Sequence, residues 1–197
     1  MGNSKEGKET LLKSPLILAF VGMPGAGKSE AAIYLEQKGI PFVRFGDVTD
    51  EEVRALGLPL TPDNERMVRE KLRKELGMAA YAIKAKPRIQ QLVRTHPVVV
   101  LDGLYSWEEY VLLKGEFLGL TLVHVYSEPT KRYDRLSHRP MRPVPIEKCR
   151  ERDIAELENL NKGGPIAIAD YLIENNSDDM ADLYGKVDAL LARLGVE

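Results

Sequence analysis

One run of eight residues has the spacing of a phosphate-binding loop. It matches the pattern G-x-x-x-x-G-K-[ST] and consists of Gly22, Met23, Pro24, Gly25, Ala26, Gly27, Lys28 and Ser29. Glycines permit a backbone whose successive N–H groups converge on phosphate oxygens, and a helix that starts there adds its positive end. In this pattern the lysine contacts the β- and γ-phosphates and the serine hydroxyl binds Mg²⁺. The run therefore predicts binding of ATP or GTP together with Mg²⁺.

Two aspartates stand where strands are predicted to end. Asp102 follows the apolar run Val98–Leu101, where a carboxylate could complete the Mg²⁺ site with Ser29, or could simply begin a turn with Gly103. Asp47 follows the second predicted strand, and ligands of open α/β sheets bind beyond the carboxyl ends of strands. It could take the proton of an acceptor hydroxyl or could cap a helix or turn, and the sequence leaves both interpretations open.

Two groups of arginines could meet negative charge on a substrate. The first lies in the stretch 129–152 and contains Arg132, Arg135, Arg139, Arg142, Arg150 and Arg152. Guanidinium groups can neutralise the charge of a moving phosphoryl group, and the prolines at 140, 143 and 145 suit a stiff lid loop, so function is favoured over a solvated surface. The second group, Arg66, Arg69 and Arg73, shares one side of a helix, and an exposed surface is the favoured interpretation there.

The elements that would position these residues alternate between strands and helices. Short apolar runs at 16–21, 40–45, 98–102, 120–126 and 171–173 predict strands, and helices are predicted between them, including a short one at 51–56. Pro87 predicts a kink or break in the helix 79–94. This order predicts an α/β fold, a P-loop NTPase three-layer αβα sandwich with a five-stranded parallel sheet and a helical lid.

Composition is typical of one globular domain. The 197 residues include 44% hydrophobic and 29% charged residues, with a net charge of −2, so no global positive field recruits nucleic acid. The longest apolar run is too short to span a membrane, and the single cysteine, Cys149, is typical of a reducing cytoplasm. We expect a disordered tail at 1–14 and one domain at 15–197, with an acceptor-binding helical region at 60–95 and a lid loop at 138–146.

The motifs together resemble a known group of enzymes. The stretch Phe20–Ala32, the segment Gly46-Asp47, the run Leu101–Ser106 and the segment Ile166–Asn175 resemble the adenylate kinase-related P-loop nucleotide kinases. Within them the chain is most similar to the uncharacterised, largely archaeal group labelled dephospho-CoA kinase-related. The resemblance implies ATP-dependent transfer to a small acceptor, either a nucleoside monophosphate or a molecule like dephospho-CoA. It also implies catalytic roles for Lys28, Asp47, Arg132 and Arg139, and nucleotide contacts from Glu30 and Asn175.

Two other functions remain open from the sequence. One is a nucleotide-dependent switch or regulatory ATPase, which would need no acceptor pocket. The other is a kinase of nucleic-acid ends, which the acidic balance of the chain disfavours. The choice between ATP and GTP, the acceptor and the oligomeric state are not determined by these motifs.

Overall fold

The computed structural model describes residues 14–140 and 142–196, so the predicted tail lies almost entirely outside the described residues. A five-stranded sheet occupies the centre in the order β2-β3-β1-β4-β5, and each strand pairs with its neighbours in parallel. The strands are β1 Leu16–Val21, β2 Phe42–Arg44, β3 Val98–Asp102, β4 Leu120–Tyr126 and β5 Tyr171–Glu174. The predicted fold class is therefore confirmed.

Helices cover both faces of this sheet. They are α1 Lys28–Gln37, α2 Gly46–Ala55, α3 Pro62–Leu76, α4 Ala80–Leu92, α5 Trp107–Glu116, α6 Pro129–His138, α7 Ile146–Leu160, α8 Gly163–Ala167 and α9 Met180–Leu194. Side chains of α1 and α9 form one apolar core with alternate residues of the strands. Side chains of α2 to α5 form a second core on the opposite face. Because both faces are covered, a strand such as β1 is apolar at every position.

The central strand β1 determines where the phosphate-binding loop lies. It pairs with β3 on one side and β4 on the other, and Phe20 lies opposite Asp102 in the β3 register. Ile17 and Ala19 contribute to one core and Leu18 to the other, as the alternation of side chains along a strand requires. The loop that follows Val21 is thus held at the carboxyl edge of the sheet, next to the ends of β3 and β4.

Several predicted boundaries were wrong. The helix expected at 51–56 begins at Gly46, because Val48, Thr49 and Val53 bury one face of it. The helix α4 continues through Pro87, which is exposed on the outer side of the helix, while Ala85 and Ile89 are buried on its inner side. The glycine-rich segment after α7 forms the short helix α8, which the sequence did not predict. In the described ranges, no helix is both long and apolar enough to cross a bilayer.

Candidate active site

The phosphate-binding loop, Gly22–Ser29, joins β1 to α1 and depends on its glycines. Gly25 and Gly27 have φ values of 78° and 102°, which side chains rarely tolerate. A Cβ on Gly27 would lie 2.3 Å from Asn175 Nδ2, and a Cβ on Gly25 would lie 2.7 Å from the carbonyl oxygen of Arg132. These glycines are therefore required both by the backbone conformation and by the close approach of α6 and the segment after β5.

Lys28 is buried at the start of α1, and its Nζ donates a hydrogen bond to the Met23 carbonyl oxygen at 3.0 Å. Burial, together with the neighbouring positive charge of Lys162, lowers the pKa of Lys28 to about 7. The ammonium group is thus held over its own loop in surroundings that disfavour an uncompensated charge. An incoming phosphate would provide the missing negative partner.

Ser29 and Asp102 meet from two different elements. The Ser29 hydroxyl donates to Asp102 Oδ2 at 2.8 Å, and Asp102 is buried at the end of β3. A hydroxyl and a carboxylate are the hard oxygen ligands that Mg²⁺ prefers, and the cation keeps waters and phosphate oxygens as its other ligands. The two residues therefore fit a Mg²⁺ site beside the loop.

A cavity of about 490 Å³ opens above the loop on the side of α6 and α9. Glu30 lines it next to Lys28 and Ser29, and Asn175 lines the opposite side. Asn175 Nδ2 donates to the Ala26 carbonyl oxygen at 2.8 Å, so this side chain also fixes the loop. The structure thus brings these predicted nucleotide contacts together around one cavity, which we call the nucleotide cavity.

Two further residues line the nucleotide cavity, of which Arg135 belongs to the predicted arginine group and Met180 was not predicted. Arg135 donates to the carbonyl oxygens of Asn175 and Ser177 at 2.9 and 2.6 Å, and so ties α6 to the segment after β5. Met180 lines the same cavity from the start of α9. No local pattern marks Met180, because its position depends on α9 packing against α1.

Arg132, predicted as a catalytic residue, lies beneath the loop and lines neither cavity. Its guanidinium group donates a hydrogen bond to the Pro24 carbonyl oxygen at 3.0 Å. It also forms a bidentate ion pair with Asp153, with distances of 3.0 and 2.7 Å. Its Nε donates to the Ser127 carbonyl oxygen at 3.1 Å. A buried charge needs such partners. In this arrangement Arg132 connects the loop to α7, and its catalytic role stays a prediction.

A second cavity of about 790 Å³ lies between the sheet edge, α3 and α7, and we call it the acceptor cavity. Four arginines line it from the side of β2 and α3, namely Arg44, Arg66, Arg69 and Arg73. Three more line it from the lid loop and α7, namely Arg139, Arg142 and Arg152. The acidic residues that line it are Asp50, Glu65 and Glu156. The favoured interpretation of the α3 arginines as an exposed surface was therefore incomplete. The other side of this cavity is formed by Arg139, Arg142 and Arg152, which lie far from α3 in the sequence.

Among the residues that line the two cavities, Arg139 is the one they share. It forms no ion pair within the described ranges, and its side chain donates to the Arg142 carbonyl oxygen. Partial burial lowers the pKa of Arg139, and the nearby charges of Arg152 and Arg142 act in the same direction. The Arg139 guanidinium group, which pairs with no acidic side chain of the described residues, thus lies at the border between the two cavities.

Asp47 lies in the first turn of α2 and is paired with two arginines. Its carboxylate oxygens lie 3.1 Å from Arg44 Nη1 and 3.5 Å from Arg88 Nη1. Asp50, one turn later, lines the acceptor cavity, whereas Asp47 does not. The predicted role of Asp47 as the acceptor-side acid stays a prediction.

The fold and the loop define a P-loop NTPase with the fold of small-molecule kinases. Residues 18–158 match the family described as an AAA domain. The chain belongs to this family and, more narrowly, to the UPF0200 proteins. The UPF0200 protein of Thermococcus sibiricus is 37% identical over 186 residues, covering 92% of this chain and 97% of that protein. That of Pyrococcus furiosus is 40% identical over 164 residues, covering 81% and 88%.

Solved structures share the architecture at low identity. TT1252 from Thermus thermophilus has a TM-score of 0.62 and 21% identity, over 92% of this chain and 99% of that chain. A shikimate kinase from Bacteroides thetaiotaomicron has a TM-score of 0.57 and 15% identity, over 92% and 99%. A gluconokinase from Sinorhizobium meliloti has a TM-score of 0.53 and 21% identity, over 91% and 93%. At these identities the likeness establishes the fold alone.

Proposed function

We propose that this chain is a Mg²⁺-dependent kinase that transfers the terminal phosphoryl group of ATP, or GTP, to a small acceptor. The acceptor would be a nucleoside monophosphate or a molecule like dephospho-CoA. The observation that carries this proposal is the pair of cavities that border each other at Arg139. A switch or regulatory ATPase needs a nucleotide cavity, but it has no use for a second, arginine-lined cavity at the same border.

The nucleotide side supplies most of the charge neutralisation. Backbone amides of Gly22–Ser29 would bind the phosphate oxygens, and Lys28 would leave the Met23 carbonyl to contact the β- and γ-phosphates. Ser29 and Asp102 would hold Mg²⁺, which neutralises phosphate charge when bound. Phosphoryl transfer is catalysed chiefly by positioning and electrostatics, and this set of groups provides both.

Arg139 would act where the phosphoryl group passes from one cavity to the other. Its charge would compensate the equatorial oxygens during transfer, as arginines do in related reactions. Asp47 is proposed as the residue that orients the acceptor from the first turn of α2, next to Arg44. Arg132 would keep the loop and α7 in fixed relative positions through its bonds to Pro24 and Asp153.

The segment 138–146 is proposed as the lid loop, and the segment 60–95 as the acceptor-binding region. Arg142 in the lid loop pairs with Glu65, which is buried on α3. This contact holds the lid loop against the acceptor-binding region. Exclusion of water by this contact would favour transfer over hydrolysis of ATP.

The test is transfer of label from γ-labelled ATP to a panel of nucleoside monophosphates and dephospho-CoA. We expect label in an organic product with the natural chain. The Lys28→Met variant serves as the inactive control. Label found only as free phosphate with every acceptor, together with nucleotide-dependent capture of a protein partner, would instead support a switch.

A further inference from the structure

The three acidic side chains that line the acceptor cavity differ in how their oxygens are used. Glu65 is buried, forms a close ion pair with Arg142 and has a second, longer contact of 3.4 Å with Arg69 Nη1. Glu156 pairs with Arg152 Nε at 3.1 Å and with Lys162 Nζ at 2.5 Å, and these cations offset its burial and lower its pKa. Each of these two carboxylates therefore already has two cationic partners, and the lowered pKa of Glu156 makes it a poor proton acceptor.

Asp50 is engaged far more weakly. Its carboxylate makes one contact, 3.4 Å from Arg44 Nη1, in the part of the chain that the structure describes. Its side chain is 22% exposed, and the residue lines the acceptor cavity. A contact at 3.4 Å is long for a charge-assisted hydrogen bond. Asp50 thus keeps accepting capacity that faces the cavity.

The position of Asp50 relative to the proposed metal site is set by the sheet. Arg44 lies opposite Asp102 in the β2–β3 register, and the helix α2 that carries Asp50 begins two residues later. The helix that carries Asp50 therefore begins at the carboxyl edge of the sheet, near the end of β3 that carries Asp102. Asp47 lies on the same helix, but its carboxylate contacts Arg88 in addition to Arg44.

We propose that Asp50 accepts the proton of an acceptor hydroxyl group, so that the product of this enzyme is a phosphate ester of a hydroxylated anion. This inference rests on the proposed kinase function. A phosphate acceptor is already ionised and needs no base, and a carboxylate facing it would repel it. A hydroxyl acceptor needs that carboxylate, while the cavity arginines bind the acceptor's own phosphate or carboxylate group.

The step balances without any further reactant. The hydroxyl oxygen of the acceptor forms a bond to the γ-phosphorus, and the bond between that phosphorus and the β,γ-bridging oxygen breaks. The hydroxyl proton passes to the Asp50 carboxylate and from there to water. Nucleoside diphosphate leaves, and no atom is oxidised or reduced.

The first experiment identifies the type of bond that is formed. The natural chain is incubated with γ-labelled ATP and, separately, with dephospho-CoA, glycerol 3-phosphate, shikimate, gluconate, AMP, CMP or neutral glycerol. Each product is then heated in acid, which cleaves a phosphoanhydride and leaves a phosphate monoester intact. We expect acid-stable label on a hydroxylated anion and at least ~10-fold less on glycerol, since one lost charged contact is worth about this factor.

The other outcomes separate the two proposals. Acid-labile label on AMP or CMP, with none on the hydroxylated anions, would overturn the inference and leave the kinase function standing. Equal labelling of glycerol and glycerol 3-phosphate would overturn the requirement for an anion. Label only as free phosphate throughout would contradict the kinase function, and the inference with it.

The second experiment compares Asp50→Asn with Asp47→Asn on the acceptor that takes label. We expect Asp50→Asn to lower kcat by at least ~10²-fold, the range for loss of a general base, with the Kd of ATP unchanged. Asp50→Glu should recover part of the rate, which a purely structural role would not produce. Glu51→Gln, an exposed neighbour on α2, should leave kcat within about twofold. An equal or larger loss from Asp47→Asn would overturn the assignment to Asp50.

Discussion

The nucleotide cavity and the acceptor cavity are built in different ways. The first is formed largely by the backbone of one loop, Gly22–Ser29, and by the residues that brace it. The second is formed by side chains from α2, α3, the lid loop and α7, which are far apart in the sequence. A site made of consecutive residues carries its own geometry, whereas a site made of distant side chains exists only when the helices pack correctly.

The two cavities also handle charge differently. The nucleotide side relies on amides and one buried ammonium group, Lys28, whose pKa burial lowers to about 7. The acceptor side has seven arginines and three acidic residues, which leaves four surplus positive charges in a chain whose net charge is −2. Concentrated arginines bind phosphate and carboxylate groups with defined geometry. This surplus of positive charge supports the proposal that the acceptor is an anion.

Loss of the Lys28 ammonium group should have the largest effect, because no other side chain of the loop carries a positive charge. We expect Lys28→Met to lower the rate of transfer by about 10³-fold, near the upper end for loss of one stabilising donor. The measurement is steady-state kinetics with labelled ATP. Lys38→Met, on an exposed lysine just after α1, is the matched control and should retain its rate. Full activity of Lys28→Met would place the site elsewhere.

The residue shared by the two cavities gives the next largest effect. We expect Arg139→Met to lower kcat by about 10²-fold while the Kd of ATP changes little, because its charge would matter most during transfer. Single-turnover kinetics and calorimetry separate these quantities. Arg94→Met replaces an exposed arginine remote from both cavities and should behave like the natural chain. A large change in ATP affinity with unchanged kcat would show that Arg139 belongs to the nucleotide cavity alone.

The acceptor cavity should respond mainly in acceptor binding. Arg73 lies 5.4 Å from the centre of the Tyr81 ring and lines the cavity. We expect Arg73→Met to raise the KM of the acceptor by about 10-fold, because one charge-assisted contact is worth roughly 1.5 kcal/mol or more. The KM of ATP should not change. The exposed neighbour Lys74 provides the control variant Lys74→Met, and an equal effect of both variants would contradict a specific role for Arg73.

The contrast between the cavities explains what the sequence could predict. The loop, the strand before it and the helix after it are adjacent residues, so the placement of Lys28 and Ser29 in the loop could be predicted from spacing alone. The position of Asp102 at a strand end could be predicted because apolar strands are easily recognised and end at one edge of the sheet. The parallel order of strands followed from the alternation of strands with helices.

The acceptor side could not be predicted in the same way. Arg66, Arg69 and Arg73 line a cavity whose opposite side includes Arg139 and Arg142, which lie more than 60 residues further along the chain. Asp50 was not identified from the sequence because the start of α2 was predicted five residues too late, at 51 instead of Gly46. A helix boundary that is wrong by one turn changes which carboxylate faces a cavity.

A last prediction concerns stability instead of activity, and involves a buried acid that supports the acceptor cavity without lining it. Glu109 Oε2 accepts hydrogen bonds from the backbone N–H groups of Tyr105 and Ser106 at 2.7 and 3.1 Å, and Tyr105 lines the cavity. Burial raises the pKa of Glu109 from 4.5 to about 7, although these two bonds oppose the shift. The folded protein therefore holds this proton more tightly than the unfolded chain, so the free energy of unfolding falls as pH rises from about 4.5 to about 7.

Glu109→Gln removes this titration and keeps an oxygen that can accept the same bonds. We expect the difference in free energy of unfolding between the natural chain and this variant to change by up to ~3 kcal/mol across that pH range, in favour of the variant at the higher pH. Urea unfolding at several pH values measures it. Parallel curves for the two proteins would mean that Glu109 ionises as readily in the folded protein as in the unfolded chain. The pH dependence of stability between about pH 4.5 and about pH 7 would then come from other groups.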